Sequence, residues 1–416
     1  MPSRAAASGR RVAVTGLGAV SSVGWGVRPL WQALRAGRTG LGPFSRFDHT
    51  RQRTHVAGQV PDAPADGARH QRRRARLSYC ERFALFAADE AVEQAGLEAP
   101  LETVRTGVFF GTSTAGLLES EWFLERLWRG AGGRPGLGLM ASHQLNTPGD
   151  SVARHLRSTG PVETISSACA SAALAIGSAV GALRAGEVDV AIAGGADCLC
   201  AITYSGFNSL RSVDEVPCRP FRQGRGGLSL GEGAGVLVLE ALEHAVGRGA
   251  RVQAELLGAG SSCDANHMTA PHPQGIGAAQ ALQHALDDAG VPAERVGFIN
   301  AHGTGTPLND ASEWAAFVRT FGERAARLPV SATKSIVGHL LGASGAIEAV
   351  ATVLCLEECE AHPAAGAGPI DPAIPVDLVL GEPRRLLPDR AAVSTSLGFG
   401  GANAVLVLAR YSGEAV

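Results

Sequence analysis

The chain repeats one local grammar, and that grammar limits what it can fold into. An apolar run of strand length is followed by a turn of small residues and then by a stretch of helix length. The sequence opens with a strand at Arg11–Val14, a Gly/Ser loop and a helix near Val27–Ala36. An irregular stretch, Gly37–Gly67, then precedes a basic run, Arg72–Arg76, that leads into a helix reaching Gln94. Strand Thr106–Phe110 follows, then Glu163–Ile165 into a helix over Cys169–Leu183, then strands at Val188–Ala193 and Gly235–Leu239. After about residue 250 the pattern restarts. Its elements are a strand near Gln253–Leu257, a helix at Gly277–Ala289, strand Val296–Asn300, strand Leu328–Ser331 into helix Leu340–Leu356, and a closing pair near Ala392–Ser394 and Ala404–Leu408. Strands alternating with helices predict βαβ units around mainly parallel sheets. Two rounds predict an α/β body of two similar halves, residues 1–250 and 251–416. In such folds reacting groups collect beyond the carboxyl ends of the strands.

Composition narrows the function classes. A chain of 416 residues that is 45% hydrophobic and 18% charged, with a net charge of -2, has ample core material. That balance argues against disorder and against a general binder of nucleic acid. No apolar run reaches the roughly 18 residues a membrane span needs; Ala172–Leu183 comes nearest, contains Ser and Gly, and is closed by Arg184. The first residues lack an apolar segment, so no secretory signal is expected. Eight cysteines without a CxxC pair read as reduced thiols in a cytoplasmic protein.

Four sites stand out as chemistry. Cys169 lies in Ser166-Ser-Ala-Cys-Ala-Ser171, where a strand has ended and a small-residue helix begins. A helix N-terminus favours a thiolate, so Cys169 reads either as a nucleophile or as a small core residue. His302 sits in Asn300-Ala-His-Gly-Thr-Gly-Thr-Pro307 after an apolar strand, and His339 in Lys334-Ser-Ile-Val-Gly-His339 before a helix. No carboxylate or further histidine lies at metal-ligand spacing from either, so no metal is expected. Of 37 basic residues, Lys334 alone is not arginine, which points to a compact charge that a guanidinium cannot replace. Glu313, eleven residues beyond His302, is its candidate partner. The last site, Leu397-Gly-Phe-Gly-Gly-Ala-Asn403, surrounds one aromatic with glycines, which suits a backbone that approaches a ligand. The early Gly16-Leu-Gly18 lacks both the third glycine and the acid of a dinucleotide site, and reads as a turn that ends the first strand.

Together these stretches, with Leu230-Gly-Glu-Gly-Ala-Gly235, resemble the β-ketoacyl-acyl-carrier-protein synthases of the thiolase-like superfamily, in order and spacing from Val12 to Leu408. The resemblance implies a five-layer αβαβα fold of two pseudo-repeated halves, and a dimer. It implies that Cys169 accepts the acyl group and that His302 and His339 hold the malonyl thioester carbonyl. Lys334 and its ion-pair partner Glu313 would support them. The backbone N–H groups of Cys169 and Phe399 would form an oxyanion hole, and Phe399 would gate the acyl channel. Thr304, Thr306, Gly398, Gly400 and Gly401 fall at substrate-binding positions of the same motifs. No cofactor is implied beyond the phosphopantetheine that the carrier protein brings.

The resemblance also implies an acidic acyl carrier protein as partner, with Arg72, Arg73, Arg74 and Arg76 as its docking face. The second chain of the dimer would be an identical copy or a chain-length-factor homologue. The resemblance departs at Arg222-Gln-Gly-Arg-Gly-Gly-Leu228, where many members read Asp-x-x-Arg-Asp-Gly-Phe. Two acids are lost there, which leaves the local salt links open. That divergence and the arginine-rich composition favour the catalytic ketosynthase subunit of a type II polyketide system. A housekeeping homodimeric fatty-acid synthase and a non-catalytic channel-shaping subunit are the alternatives.

Overall fold

The computed structural model describes residues 9–63, 77–130 and 136–413. Ten strands carry its architecture. The first half contributes β1 Val12–Ser21, β2 Thr106–Gly111, β3 Val162–Ile165, β4 Val190–Asp197 and β5 Gly233–Ala241. The second contributes β6 Ala254–Cys263, β7 Val296–Asn300, β8 Pro329–Ser331, β9 Ala391–Leu397 and β10 Ala402–Arg410. Strand order is β3-β2-β4-β5-β1 in the first half and β8-β7-β9-β10-β6 in the second. Numbered by position within its own half, each order is the same. The directions match as well: β2 is parallel to β3 and β4, while β5 is antiparallel to β4 and β1. Likewise β7 is parallel to β8 and β9, while β10 is antiparallel to β9 and β6. The sheets are therefore mixed, not mainly parallel, because the closing strands of each half return beside its first. One corner joins the halves, where Ala13 and Val14 of β1 pair with Glu255 and Ala254 of β6.

Helices fill the layers between and outside the sheets. Eight of them are α1 Tyr79–Gln94, α2 Leu117–Arg129, α3 Thr147–Leu156, α4 Ser171–Arg184, α5 Ala201–Ser209, α6 Ile276–Ala289, α7 Pro307–Phe321 and α8 Ser344–Glu358; a further helix, Val27–Arg35, forms where the sequence predicts one. Helices α4 and α8 touch each other and strands of both halves; α1 and α3 cover the outer face of the first sheet, and α6 lies on that of the second with α7 packed beside it. This gives five layers. A helix apolar on all sides has to be buried, and every residue of α8 from Ser344 to Leu356 is buried. Glycine makes the close approach possible. A Cβ at Gly111 would run into the backbone of Ala172 in α4, and one at Gly235 into that of Ala346 and Ile347 in α8.

Three local expectations change. Gly16 and Gly18 do not end the first strand; β1 continues through them to Ser21, and their missing side chains let α1 lie against it at Ala87 and Ala91. Helix α1 starts at Tyr79, fixed by a capping box in which Ser78 and Glu81 each bond the other's backbone N–H. Arg72, Arg73, Arg74 and Arg76 lie outside the described residues. The loop that loses two acids keeps its salt links by another route: Arg225 pairs with Asp310 at 3.1 Å and Asp371 at 2.6 Å. The buried Arg222 instead donates to the carbonyls of Gly366 and Gly368. Among the described residues no helix is long and apolar enough to cross a membrane.

Candidate active site

The duplication brings the two sequence halves to one point. Cys169 follows the third strand of the first half and precedes α4; His339 follows the third strand of the second half and precedes α8. His302 comes directly after β7, and Phe399 lies in the turn from β9 to β10. The Cys169 sulfur and one ring nitrogen from each histidine lie within 4.8 Å of one another. The two imidazoles stand perpendicular, at 88°, with centroids 5.4 Å apart. A cavity of about 270 Å³ opens onto this cluster, and Cys169, His302, Thr304, Thr306, His339, Gly398, Phe399 and Gly401 all line it. Gly400 is not part of the lining; its N–H donates to the carbonyl of Met268 at 2.8 Å.

Each imidazole has its tautomer set from outside the cavity. The Leu341 N–H donates to His339 Nδ1 at 3.1 Å, and because a backbone amide can only donate, the proton of a neutral His339 sits on Nε2. Ser344 Oγ lies 2.8 Å from the same Nδ1. Lys334 Nζ lies 3.0 Å from His302 Nδ1, and an ammonium is likewise a donor only. Both rings are thus left with an Nε2–H. Burial holds both well below the usual histidine range, and the Lys334 charge adds to this. They stay neutral donors at physiological pH. The three ligand atoms are close enough to share a metal ion, but both rings would have to surrender these tautomers to bind one.

Lys334 does not pair with Glu313. Its ammonium pairs with Glu348 of α8, and both side chains are buried. Glu313 is taken up elsewhere: it accepts from the N–H of His302 at 2.8 Å, the N–H of Gly303 at 2.9 Å and the hydroxyl of Thr395 at 2.6 Å. Spacing along one helix could not reveal this. Glu313 on α7 reaches the backbone of the His302 loop first, whereas Glu348 rises from the central helix beneath the ammonium. A sequence signal for Glu348 did exist, because an acid amid the apolar Ala346–Leu356 run has to find a partner. Burial raises the Glu348 carboxyl above its ordinary range despite the ammonium.

Cys169 is held by a strained turn. Ala168 before it takes φ 45°, in the left-handed region that a non-glycine residue seldom enters. Ser171 accepts from the N–H of Ser167 at 2.8 Å and donates to the carbonyl of Ala168 at 2.6 Å. The backbone N–H groups of Phe399 and of Cys169 itself hydrogen-bond toward the sulfur and lower its pKa, as does Lys334. Burial outweighs them and pushes the thiol up to about 11, so the helix start expected to favour thiolate does not set the balance. Two further residues escaped the sequence reading. Phe207 of α5 stacks on Phe399 with centroids 5.4 Å apart, and Thr395 ties β9 to Glu313. Phe207 lies on a helix that the strand-and-turn pattern did not predict.

A duplicated αβαβα body with a thiol facing two neutral imidazoles is the architecture of a thiolase-like condensing enzyme. Comparison with known proteins agrees. Residues 9–245 match the beta-ketoacyl synthase N-terminal domain and residues 253–367 the C-terminal domain. The chain is 38% identical over 410 residues to 3-oxoacyl-[acyl-carrier-protein] synthase 2 of Synechocystis sp., covering 97% of this chain and 98% of that one. It is 36% identical over 409 residues to the enzyme of the same name from Staphylococcus aureus, covering 97% and 99%. Among solved structures, the ishigamide ketosynthase/chain length factor superposes with TM-score 0.88 at 36% identity, covering 97% of this chain and 100% of that chain. A type II PKS acyl-carrier protein in complex with its ketosynthase superposes with TM-score 0.89 at 30% identity, again covering 97% and 100%. The chain belongs to the β-ketoacyl synthase family and is a ketosynthase.

Proposed function

We propose that this protein is the catalytic ketosynthase subunit of a type II polyketide system, condensing malonyl-acyl-carrier-protein with an acyl group held on Cys169. The convergence of one thiol and two Nε2–H donors on a single cavity carries the reading. The Cys169 sulfur gives up its thiol proton as it attacks an acyl thioester, and that proton ends on the phosphopantetheine sulfur, which leaves as a thiol. The oxyanion formed in that step meets the N–H groups of Cys169 and Phe399. Malonyl thioester then binds with its carbonyl oxygen toward His302 and His339. Loss of CO₂ leaves an enolate on that oxygen, which two neutral N–H donors stabilise without giving up a proton to carbon. The enolate carbon attacks the acyl-Cys169 carbonyl, and collapse expels the cysteine thiolate and releases a β-ketoacyl chain two carbons longer. Lys334 keeps His302 in its donor tautomer, Glu348 neutralises Lys334, and Glu313 positions the His302 backbone. Thr304, Thr306 and the Gly398–Gly401 turn border the substrate path. A division at 250/251 places the thiol in one half and both imidazoles in the other.

The polyketide assignment draws on the likeness to ketosynthases described with a chain length factor and with a type II carrier protein. The identity to fatty-acid-type synthases supports the second reading, a homodimeric elongation enzyme. Incubation with acyl-loaded carrier protein followed by mass spectrometry tests the chemistry: the expected result is an acyl adduct on the Cys169 peptide that Cys169→Ala abolishes. No adduct would leave only a channel-shaping role. Co-expression with a homologue lacking the cysteine separates the pathways, since a polyketide subunit purifies as a heterodimer and an elongation enzyme as a homodimer.

A further inference from the structure

The nucleophile turn has a second anchor, built from residues that none of the family motifs contains. The strained Ala168 carbonyl accepts from Ser113 Oγ at 3.1 Å as well as from Ser171. Ser113 lies in the turn after β2, at the place in the first half that His302 holds in the second. That turn is fixed by Asp197 at the end of β4. The fully buried Asp197 carboxylate accepts from Thr112 Oγ1 at 2.7 Å, from the N–H of Ser113 at 3.0 Å, and from the N–H and Oγ1 of Thr114 at 2.7 and 2.8 Å. The His339 loop rests on the same anchor. A Cβ at Gly342 would stand 2.7 Å from Ser113 Oγ and 2.8 Å from Asp197 Oδ2, so only glycine lets that loop sit so close. Leu341 beside it, whose N–H sets the His339 tautomer, is itself in the left-handed region at φ 52°.

We propose that Ser113, held by Asp197, is a positioning residue for the condensation: it pins the Ala168 carbonyl so that Cys169 stays within reach of its two N–H donors and of His339. The inference rests on the reading of Cys169 as the reacting thiol. A carbonyl pinned by two hydroxyls holds a left-handed alanine that would otherwise relax toward ordinary φ. Release of one pin lets the sulfur drift from the Phe399 N–H. The thiolate then loses a donor, its pKa rises, and acyl transfer slows.

The test alkylates the holoenzyme with iodoacetamide across a pH series and follows the Cys169 peptide by mass spectrometry, so that exposed Cys263 does not interfere. In Ser113→Ala the alkylation profile should move to higher pH and kcat should fall about tenfold with KM unchanged, while Ser113→Thr, which keeps the hydroxyl, restores both. Ser113→Ala and Ser171→Ala should be non-additive, because both hydroxyls act on one carbonyl. Should Ser113→Ala not fold, Asp197→Asn carries the same expectation. A Ser113→Ala enzyme with lowered Tm but unchanged kcat and alkylation profile overturns the proposal, as does additivity with Ser171→Ala. Absence of any Cys169 label in the unaltered enzyme would overturn the nucleophile reading itself.

Discussion

Two opposing effects meet at Cys169. Two backbone N–H groups and the Lys334 ammonium favour its thiolate, and burial opposes them with the greater force, leaving the thiol near 11. The neutral imidazoles beside it do not take its proton, since burial and Lys334 hold both below the ordinary histidine range. The resting enzyme therefore carries a thiol and not a thiolate–imidazolium pair. Iodoacetamide labelling of Cys169 should rise about tenfold per pH unit from 7 to beyond 9 without levelling off. A plateau near pH 7 would show that an imidazole has accepted the proton. Sequence made Cys169, His302, His339 and Lys334 legible because each is a reactive residue in a short glycine-rich context. It assigned the lysine's partner to Glu313 and missed Glu348, because the pairing depends on which helix passes beneath the ammonium.

At the scale of elements, contact between sheet and central helix relies on missing side chains. Gly111 ends β2 against the first turn of α4, where a Cβ would run into Ala172. The atoms it would meet belong to the backbone of Ser171 and Ala172, which cannot yield as a flexible side chain could. Gly111→Ala should lower stability by at least about 2 kcal/mol, read from urea unfolding, and should slow Cys169 acylation because α4 carries the nucleophile turn. An equal-sized loss of stability with normal acylation would mean that α4 shifts as a rigid body. Periodicity revealed the buried strands and the helices α4, α6 and α8, whose apolar runs are long. It missed α2, α3, α5 and α7. Helix α7 is introduced by Thr306 and Pro307, start signals that were overshadowed by the histidine motif they follow. Helix α5, Ala201–Ser209, mixes apolar and hydroxyl residues with no clear stripe.

For the whole molecule, the buried histidines govern its response to acid. His362, wedged against Thr333 under the second sheet, is held by burial at about 4. The unfolded chain protonates this ring as pH falls through 6.5, whereas the folded chain resists until about 4. The folded state therefore loses stability across that window and keeps its full value above it. A shift of this size corresponds to on the order of 3 kcal/mol. His302 and His339 act in the same direction. His362→Gln should remove that share of acid sensitivity, seen as a smaller difference between urea unfolding at pH 7 and at pH 4.5 than in the parent. An unchanged difference would mean that His362 is already charged in the fold.

The order of apolar runs, turns and helices was enough to determine an α/β chain of two similar rounds, because hydrophobic periodicity is a local property of adjacent residues. The motifs, likewise local, determined which side chains carry chemistry. Only the tertiary structure decided that the third-strand turns of the two halves face each other, which is what puts Cys169 within 4.8 Å of nitrogens from residues more than a hundred positions away. It also decided which acid meets Lys334, and that burial outweighs the helix start at the thiol. Each of these depends on distances and dielectric surroundings between segments remote in the chain, and no stretch of sequence holds both segments.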